Sequence, residues 1–473
     1  MSKPVKKKIA VPLAEHNWEF TVTLEELKEE APEYDWEDHL NAIFAPTKMA
    51  EDELLVIPGL PFMKKVGKLI KETPKRVLAN FLGWRLIEDE PYYLSKAYRD
   101  ARQEFDNAKE GTEGSKERWR TCVVHTDKFV GDILGAPYIK KHFDRGTRDL
   151  AVKMIDRVRE AFKENVDSLP WMDQKTKTAV AEKVDKMKVA LGYPDYYIDG
   201  KKLPEKFSHY KNVVIRDNKF FQNRWNLMKM FHKKMIRKLR LPVDKELWRM
   251  NPQIVNAMND FSNNMIVFPA GILQKPFFYG NGIPCALSYG GIGAVIAHEI
   301  THGFDDDGMY YNKNGEVLDT PWWTNKSISE FKTRMGCLED QYSDYKVGGK
   351  YPINGKLTLG ENIADNGGFM ATSKAYYGWL KENSNNLVKL PGLDLTNEQL
   401  LYVGLGQTFC QNKKPEKQYQ DTLEDFHTEN KFRVIGILSN SHEFAKAFKC
   451  KKNSPMNPEK KCAIWNKDGP LDI

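Results

Sequence analysis

Apolar positions in the first half of the chain recur at helical spacing. Val152, Ile155, Val158, Phe162 and Val166 step by three or four residues, which predicts one buried face of a helix. Ser168-Leu169-Pro170 ends this helix and opens another, with Val180, Val184 and Met187 predicted as its buried stripe. Residues 20–240 read as mostly helical. The pattern changes near Pro242. Residues 252–283 are rich in β-formers and chain breakers, and Met265-Ile266-Val267-Phe268 predicts a short strand closed by Pro269-Ala270-Gly271. Helical patterns resume at Gly291 and run with interruptions to the end. These shifts predict a mainly α fold with a small β-sheet, a helical domain over 1–245 and a second domain over 246–473, with the boundary at 245–252.

Composition narrows the picture. The chain has 473 residues, 41% of them hydrophobic and 12% aromatic, enough for a large core. Disordered, collagen-like and coiled-coil chains are excluded. No apolar run approaches the roughly 18 residues of a membrane span. The basic start, Met1 to Lys8, leads into an apolar stretch at Ile9–Ala14 that is too short for a signal sequence. The chain therefore reads as soluble, with no readable export signal.

Net charge is 72 − 65 = +7. Residues 224–249 hold nine Lys/Arg, yet no zinc-finger, Gly-rich phosphate or aromatic RNA-binding signature accompanies them. They read as a solvated basic helix, and nucleic acid is not expected as a partner. Six cysteines, Cys122, Cys285, Cys337, Cys410, Cys450 and Cys462, are scattered with no Cys-x-x-Cys pair. A thiolate zinc site or thioredoxin motif is not expected, whereas disulfides remain open in any of fifteen pairings.

Chemistry concentrates at His298-Glu299-Ile300-Thr301-His302. On a helix, His298 and His302 sit one turn apart on the same face and can share one Zn²⁺. Glu299 beside them can take a proton from water. Catalytic zinc usually takes a third protein ligand. The best source is Gly360-Glu361-Asn362-Ile363-Ala364-Asp365-Asn366-Gly367-Gly368, where Glu361 and Asp365 are spaced i, i+4 and point the same way on a helix. One carboxylate would bind the metal while the other orients a liganding histidine.

These residues resemble the neprilysin/endothelin-converting-enzyme family of zinc endopeptidases. The resemblance covers His298 to Asp306, Gly360 to Gly368, Asn256-Ala257, Val267 to Gln274, Asn453 to Pro458 and Cys462-Ala463-Ile464-Trp465, and extends weakly back to about residue 20. It implies a two-lobed metallopeptidase, with a gluzincin-like catalytic domain and a partial helical domain. One Zn²⁺ per chain would be held by His298, His302 and Glu361. Glu299 would be the general base and proton shuttle, and Asp365 would orient His298. His427 would stabilise the tetrahedral oxyanion, a contribution of roughly 3–4 kcal/mol. Arg433 would hold substrate backbone beyond the cut. Asn256 and Ala257 would bond the substrate main chain like an added strand. Ile272, Phe277 and Val295 would form the apolar pocket for the residue after the cut. The implied activity is hydrolysis of oligopeptides on the amino side of bulky apolar residues, at an extracellular or cell-surface location.

The chain also departs from the family. It lacks the cytoplasmic tail, membrane anchor and long helical segment that usually come first, so it reads as an N-terminally shortened member. Cys337 and Cys462 match a family pair. Cys122, Cys410 and Cys450 match positions whose family partners lie in the lacking segment, and Cys285 has no counterpart. Phe409 stands where the family usually has Trp, and Asn466 to Ile473 follow the usual terminal Trp465. Asn325-Lys326-Ser327 is an N-glycosylation sequon. These departures define an alternative: a truncated, non-catalytic or poorly folded homologue that binds peptides without turnover.

Overall fold

The computed structural model describes residues 10–13, 17–280, 283–318, 320–384, 387 and 389–465. The basic start and the 466–473 tail lie outside the described residues. The chain is mostly helical with small sheets, as the periodicity predicts. It forms two compact units, and they interleave along the sequence. The first takes 1–108, 112–131 and 200–246; the second takes 109–111, 132–199 and 247–473. The second unit resumes at Leu247. The segment 132–199, however, groups with the second unit rather than with the rest of 1–245. The Arg118–His142 helix shows where the chain passes over: Val130 is non-helical (φ −138°, ψ 21°), and the units divide just beyond it.

In the first unit, Asn17–Thr23 pairs antiparallel with both Ala10–Leu13 and Leu54–Pro58. Thr23 then caps the Leu24–Glu30 helix in a reciprocal capping box with Glu26. Val22, Leu24, Leu27, Trp36 and Leu60 bury together in a small core. The basic stretch starts within the Phe220–Lys238 helix, as its charge pattern predicts.

The larger core lies in the second unit. The Arg145–Asp167 helix buries Ile155, Val158, Phe162 and Val166, but Val152 is 42% exposed. Two successive three-residue steps carry Val152 about 120° around the helix from Val158. Ala151 and Met154 fill the stripe instead. Pro170 does not open the next helix. Asp173 does, accepting a hydrogen bond from Thr176 N, and the helix runs Gln174–Lys186 with Val180 and Val184 buried. Trp465 packs against Phe162, Trp171, Phe304 and Phe331. Trp171 Nε1 donates to Ile464 O at 2.9 Å, tying the Cys462–Trp465 segment into this core. The Cys337–Cys462 disulfide, which the resemblance implies, is formed, and Cys122, Cys285, Cys410 and Cys450 are free thiols.

A three-stranded sheet stands beside these helices. Its centre is Met265–Pro269, fully buried and one residue longer than predicted. Lys188–Gly192 pairs with it in parallel and Met258–Asp260 antiparallel, so the latter is an edge strand. Helix resumes before Gly291. Cys285–Ser288 is helical, and a wide π turn over Tyr289–Gly293 leads into the Ala294–His302 helix.

The long Leu359–Glu382 helix crosses the Ala294–His302 helix at Gly368. A Cβ there would lie 2.6 Å from His298 N and 2.8 Å from His298 Cα. The two helices thus approach backbone to backbone. Gly368→Ala must push them apart and should lower the unfolding free energy by about 1–3 kcal/mol. Urea denaturation measures this, and unchanged stability would refute the close crossing.

Candidate active site

The crossing decides what the two helices can share. His298 and His302 project from the first helix, and Glu361 from the first turn of the second. His298 Nε2 lies 3.2 Å from Glu361 Oε2, and His302 Nε2 lies 3.6 Å from Glu361 Oε1. The two Nε2 atoms are 2.9 Å apart. The three residues can present one ligand atom each within 4.8 Å of one another. Burial acts to raise the Glu361 carboxyl, but the His302 and His298 rings outweigh it and hold it well below its usual range.

Each imidazole is backed by an acid. His302 Nδ1 is 2.6 Å from Asp305 Oδ2, and Asp305 Oδ1 accepts from the backbone of Asp307 and Gly308. His298 Nδ1 is 2.9 Å from Asp365 Oδ1. Asp365 is shared with Arg433. Arg433 Nε and Nη2 reach its two oxygens at 2.6 Å each. Burial raises the Asp365 carboxyl, and Arg433 overrides it and draws it down to about 2. With each Nδ1 facing a carboxylate, each Nε2 is turned to the centre.

The donor set fits a metal ion. Glu361 Oε2 is buried and accepts no hydrogen bond. An orphaned carboxylate oxygen beside two converging imidazole nitrogens is costly unless a cation is shared among them. Two nitrogens and one oxygen make a set that zinc accepts while keeping one position open.

Glu299 is 6% exposed beside this cluster, and burial raises its carboxyl despite the opposing pull of His298 and His302. His427 is more open. Its Nε2 is 3.4 Å from Glu361 Oε1, and its Nδ1 is 2.9 Å from Asp425 Oδ1. The neighbouring Thr428 hydroxyl donates to Asn362 Oδ1 at 2.8 Å, fixing the His427 loop to the Glu361 helix. Asn256 and Ala257 lead directly into the edge strand Met258–Asp260.

All the residues singled out in the sequence line one cavity of about 490 Å³. His298, Glu299, His302, Glu361, Asp365, His427 and Arg433 meet Asn256, Ala257, Ile272, Phe277 and Val295 there. Phe409 also lines it, with the Arg433 guanidinium 4.5 Å above its ring centre. The sequence reading missed Asp305 and Asp425. The only signal was local: an acid three residues after His302, and another two residues before His427.

Two sequence profiles, both of peptidase family M13, match residues 12–194 and 256–464. The chain belongs to peptidase family M13. It is 39% identical to human endothelin-converting enzyme 1 over 94% of its own length and 57% of that protein's. It is 40% identical to an endothelin-converting enzyme homolog of Locusta migratoria over 88% of the chain and 57% of the homolog. The chain thus spans a little over half the length of these curated relatives. Mycobacterium tuberculosis zinc metalloprotease Zmp1, solved with an inhibitor, superposes with a TM-score of 0.83 at 29% identity, over 94% of this chain and 66% of that one. PepO from Lactobacillus rhamnosis shares the fold, with a TM-score of 0.79 at 22% identity over 94% and 67%.

The Asp365–Arg433 pair ties the Asn430–Asn440 helix to the long helix. Breaking a buried pair strands the remaining charge. In chelator-treated protein, Arg433→Met should cost about 3–5 kcal/mol of stability. Adding Asp365→Asn should then cost much less than it does alone. A double-mutant cycle in urea reads the coupling, and additive losses would show the pair to be independent.

Proposed function

We propose that this chain is a zinc-dependent endopeptidase acting on oligopeptides. The observation that carries this reading is the convergence of His298 Nε2, His302 Nε2 and the orphaned Glu361 Oε2 beside buried Glu299, in a cleft with an apolar wall. His298, His302 and Glu361 would hold Zn²⁺, which would polarise the scissile carbonyl and acidify the attacking water. Glu299 takes the proton from that water and delivers it to the leaving amine. Its raised affinity for protons suits a group that must both accept and release one. Asp365 and Asp305 keep the two imidazoles in the tautomer that turns Nε2 inward. His427 stands close enough to Glu361 to donate to the oxygen of the tetrahedral intermediate, with Asp425 holding the ring.

Substrate reading follows from the cleft. Asn256 and Ala257 at the sheet edge support main-chain pairing with an extended peptide. Ile272, Phe277 and Val295 form the apolar surface for the residue after the cut. Arg433 is held by Asp365 and stacked on Phe409, so it is pre-set to meet substrate backbone. The Cys337–Cys462 disulfide supports an oxidising, extracellular or cell-surface setting. Among the described residues, no helix is long and apolar enough to cross a membrane.

Glu299→Gln tests the mechanism. It should retain zinc at one ion per chain while cleavage of a quenched apolar peptide falls by about 10²–10⁴-fold. A chelator should abolish the parent's activity. Full activity in Glu299→Gln would overturn the assignment of the base. Zinc binding without cleavage in the parent would favour the non-catalytic, peptide-binding alternative.

A further inference from the structure

Lys183 is buried in the second unit, 2% exposed on the Gln174–Lys186 helix. Its Nζ donates to three main-chain carbonyls: Gly303 O at 2.6 Å, Gly308 O at 2.9 Å and Tyr311 O at 2.6 Å. A neutral amine has only two protons, so three acceptors specify the ammonium form. The aromatic faces of Phe304 and Trp322 lie 5.1 and 5.7 Å away. Burial draws Lys183 down to about 7, and the Asp305 carboxylate pulls the other way.

The three carbonyls belong to the loop that leaves the histidine helix. Gly303 follows His302 directly. Gly308 donates its N–H to Asp305 Oδ1 while its own carbonyl accepts from Lys183. Asp305 Oδ2 meets His302 Nδ1. The loop therefore folds around the ammonium on one side and presents the aspartate to the histidine on the other. An isolated buried charge is expensive. Here the carbonyl dipoles and the nearby aspartate compensate it together, and they do so only in this loop conformation.

We propose that Lys183 is a positioning residue for the metal centre, holding the 303–311 loop in the form in which Asp305 orients His302. The proposal rests on the reading of His302 as a zinc ligand. It adds a residue more than a hundred positions upstream of the motif, on a different helix. It makes a definite demand: Lys183 and Asp305 act on zinc affinity through one route.

The test uses the full chain and Zn²⁺ competition against a chromogenic chelator. Asp305→Asn and Lys183→Met should each raise the zinc Kd by about 10–100-fold. The double variant should be no weaker than the weaker single. The visible spectrum of the Co²⁺-loaded protein should shift alike in both. Additive losses, or an unchanged Kd in Lys183→Met beside a raised one in Asp305→Asn, would overturn the proposal. Should Lys183→Met not fold, Lys183→Arg carries the same cycle: it keeps donors to the carbonyls but displaces the loop. Its Kd should rise without a further effect of Asp305→Asn, and additivity again refutes the link. His302→Ala is the separate check on the metal reading itself: zinc bound as tightly as by the parent would remove that reading and this proposal with it.

Discussion

The close crossing of two helices is the constraint on which the site depends. Zinc motifs of the two-histidine kind supply two ligands from one helix turn, and the third must come from elsewhere in the chain. Here the proposed third ligand is a carboxylate some sixty residues on, and its helix comes this near only because Gly368 lets the His298 backbone lie against it. Gly367, its neighbour, is similarly filled by Trp465 and Thr301. The paired glycines in Asp365-Asn366-Gly367-Gly368 are thus contact surfaces on two sides of one helix. One side sets the distance from Glu361 to the imidazoles. The other seals the helix onto an aromatic cluster that is itself held by the end of the described chain.

Around this crossing a single device recurs. Asp365, Asp305 and Asp425 each face the Nδ1 of one histidine, and in each case Nε2 is turned toward Glu361. The device is built differently each time. Asp365 is anchored by a guanidinium from another helix, Asp305 by backbone N–H groups of its own loop, and Asp425 by the backbone N–H of His427 itself, which donates to its Oδ1 at 2.9 Å. The gradient of exposure follows the proposed tasks. His298 and His302 are nearly enclosed, while the His427 side chain stays 40% exposed at the mouth of the cleft. Enclosed ligands lose little to competing water. A donor to a transient oxyanion must be reachable by substrate.

Much of this was legible in the sequence because it depends on local spacing. Two histidines four apart and two acids four apart are each read from one helix turn, and Met265-Ile266-Val267-Phe268 is apolar enough to announce a buried strand. The resemblance then named the more distant residues, and the structure gathers them in one cavity. What stayed hidden depends on tertiary packing. Nothing in the sequence around Lys183 distinguishes it from the other lysines of its helix; only the folded loop turns it inward. Val152 failed for a simpler reason, since successive steps of three drift off a 3.6-residue stripe. The interleaving of 132–199 with the second unit was hidden too, because a helix continuous in sequence carries the break at Val130.

The edge strand and the proposed base are joined by one bond that gives the cleft its logic. Asn259, within Met258–Asp260, donates its side-chain amide to the main-chain carbonyl of Glu299 at 2.6 Å. The strand is paired on one side with Met265–Pro269 and, among the described residues, is the edge of its sheet. Its Asn256-Ala257 approach lines the same cavity as Glu299. An extended peptide pairing there would be held in register by the backbone, independent of its sequence. The fixed offset between Asn259 and Glu299 would then place one peptide bond opposite the carboxylate. Selectivity would then be left to the apolar wall of Ile272, Phe277 and Val295, which would sense one side chain. Under the proposed reading, register would come from the main chain and choice from a single pocket, which together would admit many sequences.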